Sequence, residues 1–319
     1  MELSSNKTTI FLGTGGVGKT TLSSIYAIKL ANTFPDKKIK LVTIDPSKRL
    51  RDYFSMGIED SEKEIENLSI SVSGRADLMK DFVSEVYKGN TAEIEKIYEN
   101  KIFQKLVTGL AVSQEFTSLY EVYKNNGEDV DYLIVDTPPL QNAGSFLSGA
   151  GELQALFSSS LAKLFIFSED EGLFSKIFFK ARKKGLGILS NLTGKTFVGE
   201  LANFFMAVEK LRPQLLAVLE ESKRILHDDT DIVCICNYNE LSLGGLKISL
   251  KSIQGQGLKV RKCIFNKYRD DQDQKGFVQK KSNEIKEENR GLDFYQVGSF
   301  DFEVLTYEDL QKVGASVEF

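Results

Sequence analysis

Eight consecutive residues, Gly13-Thr14-Gly15-Gly16-Val17-Gly18-Lys19-Thr20, fit the pattern G-x-x-x-x-G-K-[ST] without adjustment. Each residue type at that spacing has chemistry to perform. Glycines reach φ values barred to other residues, so successive N–H groups can turn inward and cradle phosphate oxygens. A helix starting at Lys19 adds the positive end of its dipole. Lys19 supplies a mobile cation for β- and γ-phosphates, and the Thr20 hydroxyl is of the type that ligates Mg²⁺. The competing explanation is a glycine-rich turn with no ligand. A strand expected before the loop and a helix expected after it weigh against that, because the motif works only in this setting. Gly194-Lys195-Thr196 repeats the tail of the pattern, but Leu189 stands where the first glycine belongs. That segment reads as a loop between helices.

The elements that must hold such a loop can be read on either side of it. TTIFL (Thr8–Leu12) reads as a short buried strand, and Lys19 to about Asn32 as a helix with an apolar face. KIKLVTI (Lys38–Ile44) is a second strand, followed by Asp45-Pro46 and a short helix near Lys48–Phe54. The charged stretch GIEDSEKEIEN leads to LSISV (Leu68–Val72), read as an edge strand. Helical spacing runs from about Arg75 to Asn125, with Leu78, Phe82 and Val86 four apart. DYLIVD (Asp131–Asp136) is a continuous apolar run ending in an acid, as expected of a central parallel strand. A long helical stretch from about Gly144 to His227 follows, broken by glycines near 185–194 and by Pro213. Asp231–Cys236, Val260–Asn266 and Phe294–Val297 complete the strands. Alternating strands and helices imply an α/β, doubly wound, mostly parallel sheet. The expected organisation is a single P-loop ATPase domain over 1–319, with helical insertions at about 75–128 and 146–225 forming a subdomain.

Composition bounds the function class. The chain has 319 residues, 41% apolar and 27% charged, close to the average for a folded soluble protein. Its net charge of −4 argues against a nucleic-acid partner, whose binding draws on clustered Lys and Arg. Cys234 and Cys236 share one face of a strand and read, with Cys263, as buried free thiols that suit a reducing cytoplasm. No apolar run reaches the roughly 18 residues of a membrane span, and MELSSNKTTIFLG lacks a signal-peptide pattern. The expectation is a cytoplasmic protein that is not integral to a membrane. His227, the only histidine, sits among acids in an expected loop and receives no role.

The loop GTGGVGKTT, the DP of TIDPSKRL and the DTPP after DYLIV together resemble the arsenite-pump and tail-anchored-protein-targeting ATPases. That family belongs to the deviant-Walker class of dimeric P-loop ATPases. The resemblance implies ATP and Mg²⁺ as cofactors, with Thr21 beside the loop among the nucleotide contacts. Asp45 falls on the aspartate that orients the attacking water, work that needs a carboxylate within reach of the nucleophile; a plain Asp-Pro turn is the alternative. Asp136 falls on the Walker B acid behind the magnesium shell, so Thr20, Asp136 and Asp45 form the implied metal set. Asn266, in CIFNK, matches the asparagine that reads the adenine edge, with Gly298 and Ser299 flanking the base; an Asn that merely ends a strand is the alternative.

Two departures qualify what the resemblance implies. Thr14 stands where the family has a signature lysine that reaches a dimer partner's phosphates. The zinc-bridging C-x-x-C of the targeting branch is absent, and the cysteines do not match the pump's metalloid thiols, which argues against an arsenite role. Two functions therefore stay open. One is a dimeric switch ATPase coupled to a hydrophobic or membrane-protein client, catalysis resting on Asp45 and Lys19. The other is a weakly active or non-catalytic subunit, paired in a heterodimer with a related ATPase. Large apolar residues between Phe146 and Phe179 suit either a client groove or subdomain core.

Overall fold

The computed structural model describes residues 6–43, 48–101, 103, 111–127, 129–137, 195–268 and 275–317. Its strands are β1 (Thr8–Leu12), β2 (Ile39–Thr43), β3 (Glu62–Ile65), β4 (Leu68–Val72), β5 (Tyr132–Asp136), β6 (Thr230–Asn237), β7 (Val260–Tyr268) and β8 (Asp293–Gly298). They form one sheet in the order β3-β4-β2-β5-β1-β6-β7-β8. Every neighbouring pair is parallel except the β3–β4 hairpin. The described helices are α1 (Lys19–Thr33), α2 (Lys48–Tyr53), α3 (Arg75–Val86), α4 (Thr91–Glu99), α5 (Ala111–Asn125), α6 (Lys195–Asp228), α7 (Glu240–Gly255), α8 (Lys275–Glu288) and α9 (Tyr307–Ser316).

Strand side chains alternate between the two faces, so an apolar run supplies both cores at once. Ile10 and Leu12 of β1, Leu133 and Val135 of β5, and Cys234 and Cys236 of β6 enter the core shared with α3 to α8. Phe11, Ile134 and Val233, one residue out of step, enter the core beneath α1, α2 and α9. This is the expected doubly wound arrangement, with β1 at its centre. The three cysteines are buried and free. Burial, with the neighbouring Cys234, pushes the Cys236 thiol up, and a hydrogen bond with Cys234 joined to burial does the same at Cys263.

Four local expectations are corrected. LSISV is not the edge of the sheet: β3, within the charged stretch 57–67, pairs antiparallel outside it. Glu62 and Glu64 are exposed while Lys63 and Ile65 are half-buried, so charge masked a period-two strand with one solvated face. Pro213 does not break its helix; α6 runs through it. Loss of one N–H is tolerated because Leu211 and Leu215 anchor that turn in the core and Ser222 Oγ donates to Leu119 O of α5 at 3.1 Å. Lys195 and Thr196 open α6 rather than lying in a loop, and His227 sits in its last turn. The apolar run 146–179 lies outside the described residues, as does Asp45. No helix among the described residues is long and apolar enough to cross a membrane.

Candidate functional site

The loop 13–18 leaves the carboxyl end of β1 and runs directly into α1, at the centre of a parallel sheet where ligands of such folds bind. Its glycines are demanded by geometry at three points, one of them Gly16 with φ +73°. A Cβ at Gly13 would lie 2.4 Å from Ile235 O. Gly18 has φ +95°, and a Cβ there would lie 2.3 Å from Asn266 Nδ2. Gly18 is also the N-cap of α1, whose first turn carries no acid. The helix thus leaves the positive end of its dipole available to an anion.

Lys19 is 93% buried by its neighbours and turned back along the loop. Its ammonium donates to Gly13 O and Thr14 O, both at 3.0 Å. Thr20 Oγ1 donates to Asp136 Oδ2 at 2.7 Å, and Thr43 Oγ1 donates to the same oxygen at 3.2 Å. Register sets the Thr43 part of this meeting: Asp136 stands opposite Phe11 of β1 on one side and Thr43 of β2 on the other. Just past it, Thr137 Oγ1 donates to Phe11 O at 2.7 Å, tying the strand ends together. A hydroxyl and a carboxylate side by side are hard oxygen donors, the set that suits Mg²⁺ alongside water and phosphate. The residues present fit that ion.

On the other flank of α1 lies a cleft of about 370 Å³, lined by Gly18, Thr21, Arg49, Tyr53, Asn266, Lys267 and the segment 298–304. The structure therefore gathers Thr21, Asn266, Gly298 and Ser299 around one opening that adjoins the end of the phosphate loop. Asn266 Nδ2 donates to Val17 O at 2.7 Å and its Oδ1 accepts from Lys267 N at 2.9 Å. A carboxamide can make four hydrogen bonds, so these two leave capacity for a ligand. Ser299 N donates to Tyr268 O at 3.0 Å, which holds the 298–299 backbone against the end of β7.

Four contributors were not singled out from sequence. Thr43 shares Asp136 with Thr20, and the only hint was its place at a strand end. Tyr53 bonds Thr21 Oγ1 at 2.8 Å, and burial pushes its phenol up. Arg49 borders the cleft, with no motif to mark it. Lys267 Nζ donates to Gly16 O at 2.9 Å, a contact that no sequence motif marks. Lys267 has φ +56°, a left-handed backbone that costs a non-glycine residue about 1 kcal/mol or more.

A glycine loop between a central parallel strand and a helix, with Lys19, Thr20 and a strand-end aspartate converging, defines a P-loop nucleoside-triphosphatase fold. Comparison with known proteins narrows the class. The model of the Anion-transporting ATPase family matches residues 6–317, and the chain belongs to that family of ATPases. It is 26% identical over 322 residues to the Aquifex aeolicus protein named "Putative arsenical pump-driving ATPase 2", covering 95% of this chain and 96% of that one. It is also 26% identical over 265 residues to ATPase GET3 of Komagataella phaffii, covering 80% and 70% respectively. ATPase GET3 of Lachancea thermotolerans is 27% identical over 277 residues, with the same shares.

Proposed function

We propose that this ATPase binds MgATP with its triphosphate in the loop Gly13–Thr20 and its base in the cleft beside Asn266, Gly298 and Ser299. The observation that carries the reading is the convergence of Lys19, Thr20 and Asp136 at the end of β1. Lys19 would exchange its two loop carbonyls for phosphate oxygens, a swap of neutral for charge-assisted partners. Thr20 and Asp136 would hold Mg²⁺, which supplies charge neutralisation at the phosphates. By family resemblance Asp45 would orient the attacking water, on the segment that follows β2.

ATP would close a dimer in the cytoplasm and hydrolysis would release it, coupling nucleotide state to a hydrophobic client or a partner protein. A second reading is favoured by Thr14. A neutral, short side chain there cannot reach across a dimer as lysine would, so the chain would be a slow or non-catalytic subunit paired with a related ATPase. Turnover measured against protein concentration, for wild type and Asp45→Asn, separates the two. A rate that rises with concentration and is lost in Asp45→Asn supports the switch ATPase. Nucleotide binding without turnover at any concentration supports the subunit.

A further inference from the structure

Two consecutive residues of β7 grip two consecutive carbonyls of the phosphate loop. Lys267 Nζ donates to Gly16 O at 2.9 Å, and Asn266 Nδ2 donates to Val17 O at 2.7 Å. In a regular strand neighbouring side chains point to opposite faces, so they could not share a target. The alternation is broken here by the left-handed backbone of Lys267, φ +56°, and by a shift in β7–β8 register between Phe265 and Tyr268. Asn266 Oδ1 accepts the Lys267 N–H at 2.9 Å and so closes the bend on itself. A strained backbone held in place this way points to a role for the side chain it aims.

The consequence follows from peptide geometry. In a planar trans peptide the C=O of one residue and the N–H of the next point in opposite directions. Holding Gly16 O on Lys267 therefore points Val17 N–H away from Lys267, and holding Val17 O on Asn266 points Gly18 N–H away from Asn266. In the proposed site those N–H groups belong to the stretch of the loop that would cradle phosphate. Lys19 also grips loop carbonyls, but it must let go to meet a phosphate; Lys267 and Asn266 need not.

We infer that Lys267 is a positioning residue for nucleotide: it pre-sets the loop amides through Gly16 O, so that less ordering is left to binding. This rests on the proposed MgATP site and deepens it. Preorganisation of this kind raises affinity by removing an ordering penalty rather than by adding a contact.

The test is calorimetric titration of MgATP into wild type, Lys267→Met, Lys267→Arg, Lys267→Gly and Lys19→Ala, with melting curves of each nucleotide-free protein. Lys267→Met keeps the stem and loses the donor; binding is expected to weaken about tenfold, the value of one hydrogen bond from a charged group. Lys267→Arg restores a donor and should bind within about twofold of wild type. Lys267→Gly accepts φ above zero without strain, so it should bind as weakly as the Met variant while melting no lower than wild type. Wild-type affinity in Lys267→Met overturns the inference, as does recovered affinity in Lys267→Gly, which would make backbone strain the cause. If wild type itself gives no heat, the MgATP site fails. If wild type binds, Lys19→Ala does not and Lys267→Met is unaffected, only the role of Lys267 falls.

Discussion

The strand-end ridge and the helical layer over α3 to α6 are built on opposite principles. At the ridge single atoms decide: Lys19 Nζ, Thr20 Oγ1 and Asp136 Oδ2 meet within 3.0 Å of their partners, and Gly13 and Gly18 have no room for a methyl. In the layer, volume decides. Phe82 meets Phe116 edge-on at 4.8 Å and Tyr120 at 5.5 Å, with all three rings buried. The ridge contributes little apolar burial and the layer offers few groups that do chemistry. Stability and nucleotide handling should therefore separate under substitution.

The largest effect expected belongs to the layer. Phe82→Ala removes a fully buried ring and should cost about 3–5 kcal/mol in denaturant unfolding, with MgATP affinity unchanged wherever the protein is folded. A matching loss of affinity would break the comparison. Next comes Lys19→Ala at the ridge. It removes the charged donor that the proposed site offers to phosphate, so affinity by calorimetry should fall about a hundredfold or more, while the nucleotide-free melting temperature stays near wild type. Full binding in that variant would remove the ridge from the nucleotide site. Gly18→Ala is expected to show both effects, smaller in stability. A left-handed backbone without glycine and a clash with Asn266 should cost about 2 kcal/mol, and the displaced Asn266 would release Val17 O and weaken binding.

The same contrast explains what could be read from the sequence. The loop was legible because its chemistry demands particular residues at fixed spacing, and Asp136 because an acid ends an apolar run. The parallel sheet followed from strands alternating with helices. What escaped depends on contacts distant in sequence. Thr43 gains its place only through the register that sets it opposite Asp136. Lys267 acts through a bend invisible in its residue type. β3 was masked by its own glutamates, and Pro213 suggested a break that packing of Leu211 and Leu215 overrides. Local chemistry was readable; tertiary override was not.

The smallest effect expected lies at Glu121, where the two regions touch. It sits on α5, 1% exposed, with Oε1 accepting from Ser73 Oγ at 3.1 Å and Oε2 meeting no hydrogen-bond partner. Ser73 N in turn donates to Thr43 O, so this carboxyl is one residue removed from the ridge. Burial pushes its pKa above 4.5, while Ser73, Lys124 of α5 and Lys40 of β2 pull it partly back. The folded state therefore holds the proton more tightly than the unfolded state does. Stability from this group is fully present below the unfolded pKa and is lost as pH rises through the folded one. Glu121→Gln carries no such proton, so its melting temperature relative to wild type should climb as pH rises past 4.5 and level off once the folded-state carboxyl has ionised. A difference that stays constant with pH would mean the carboxylate ionises without penalty. A difference that changes nucleotide affinity as well would show that the ridge feels the layer through Ser73 and Thr43, and that the two regions are less separate than their construction suggests.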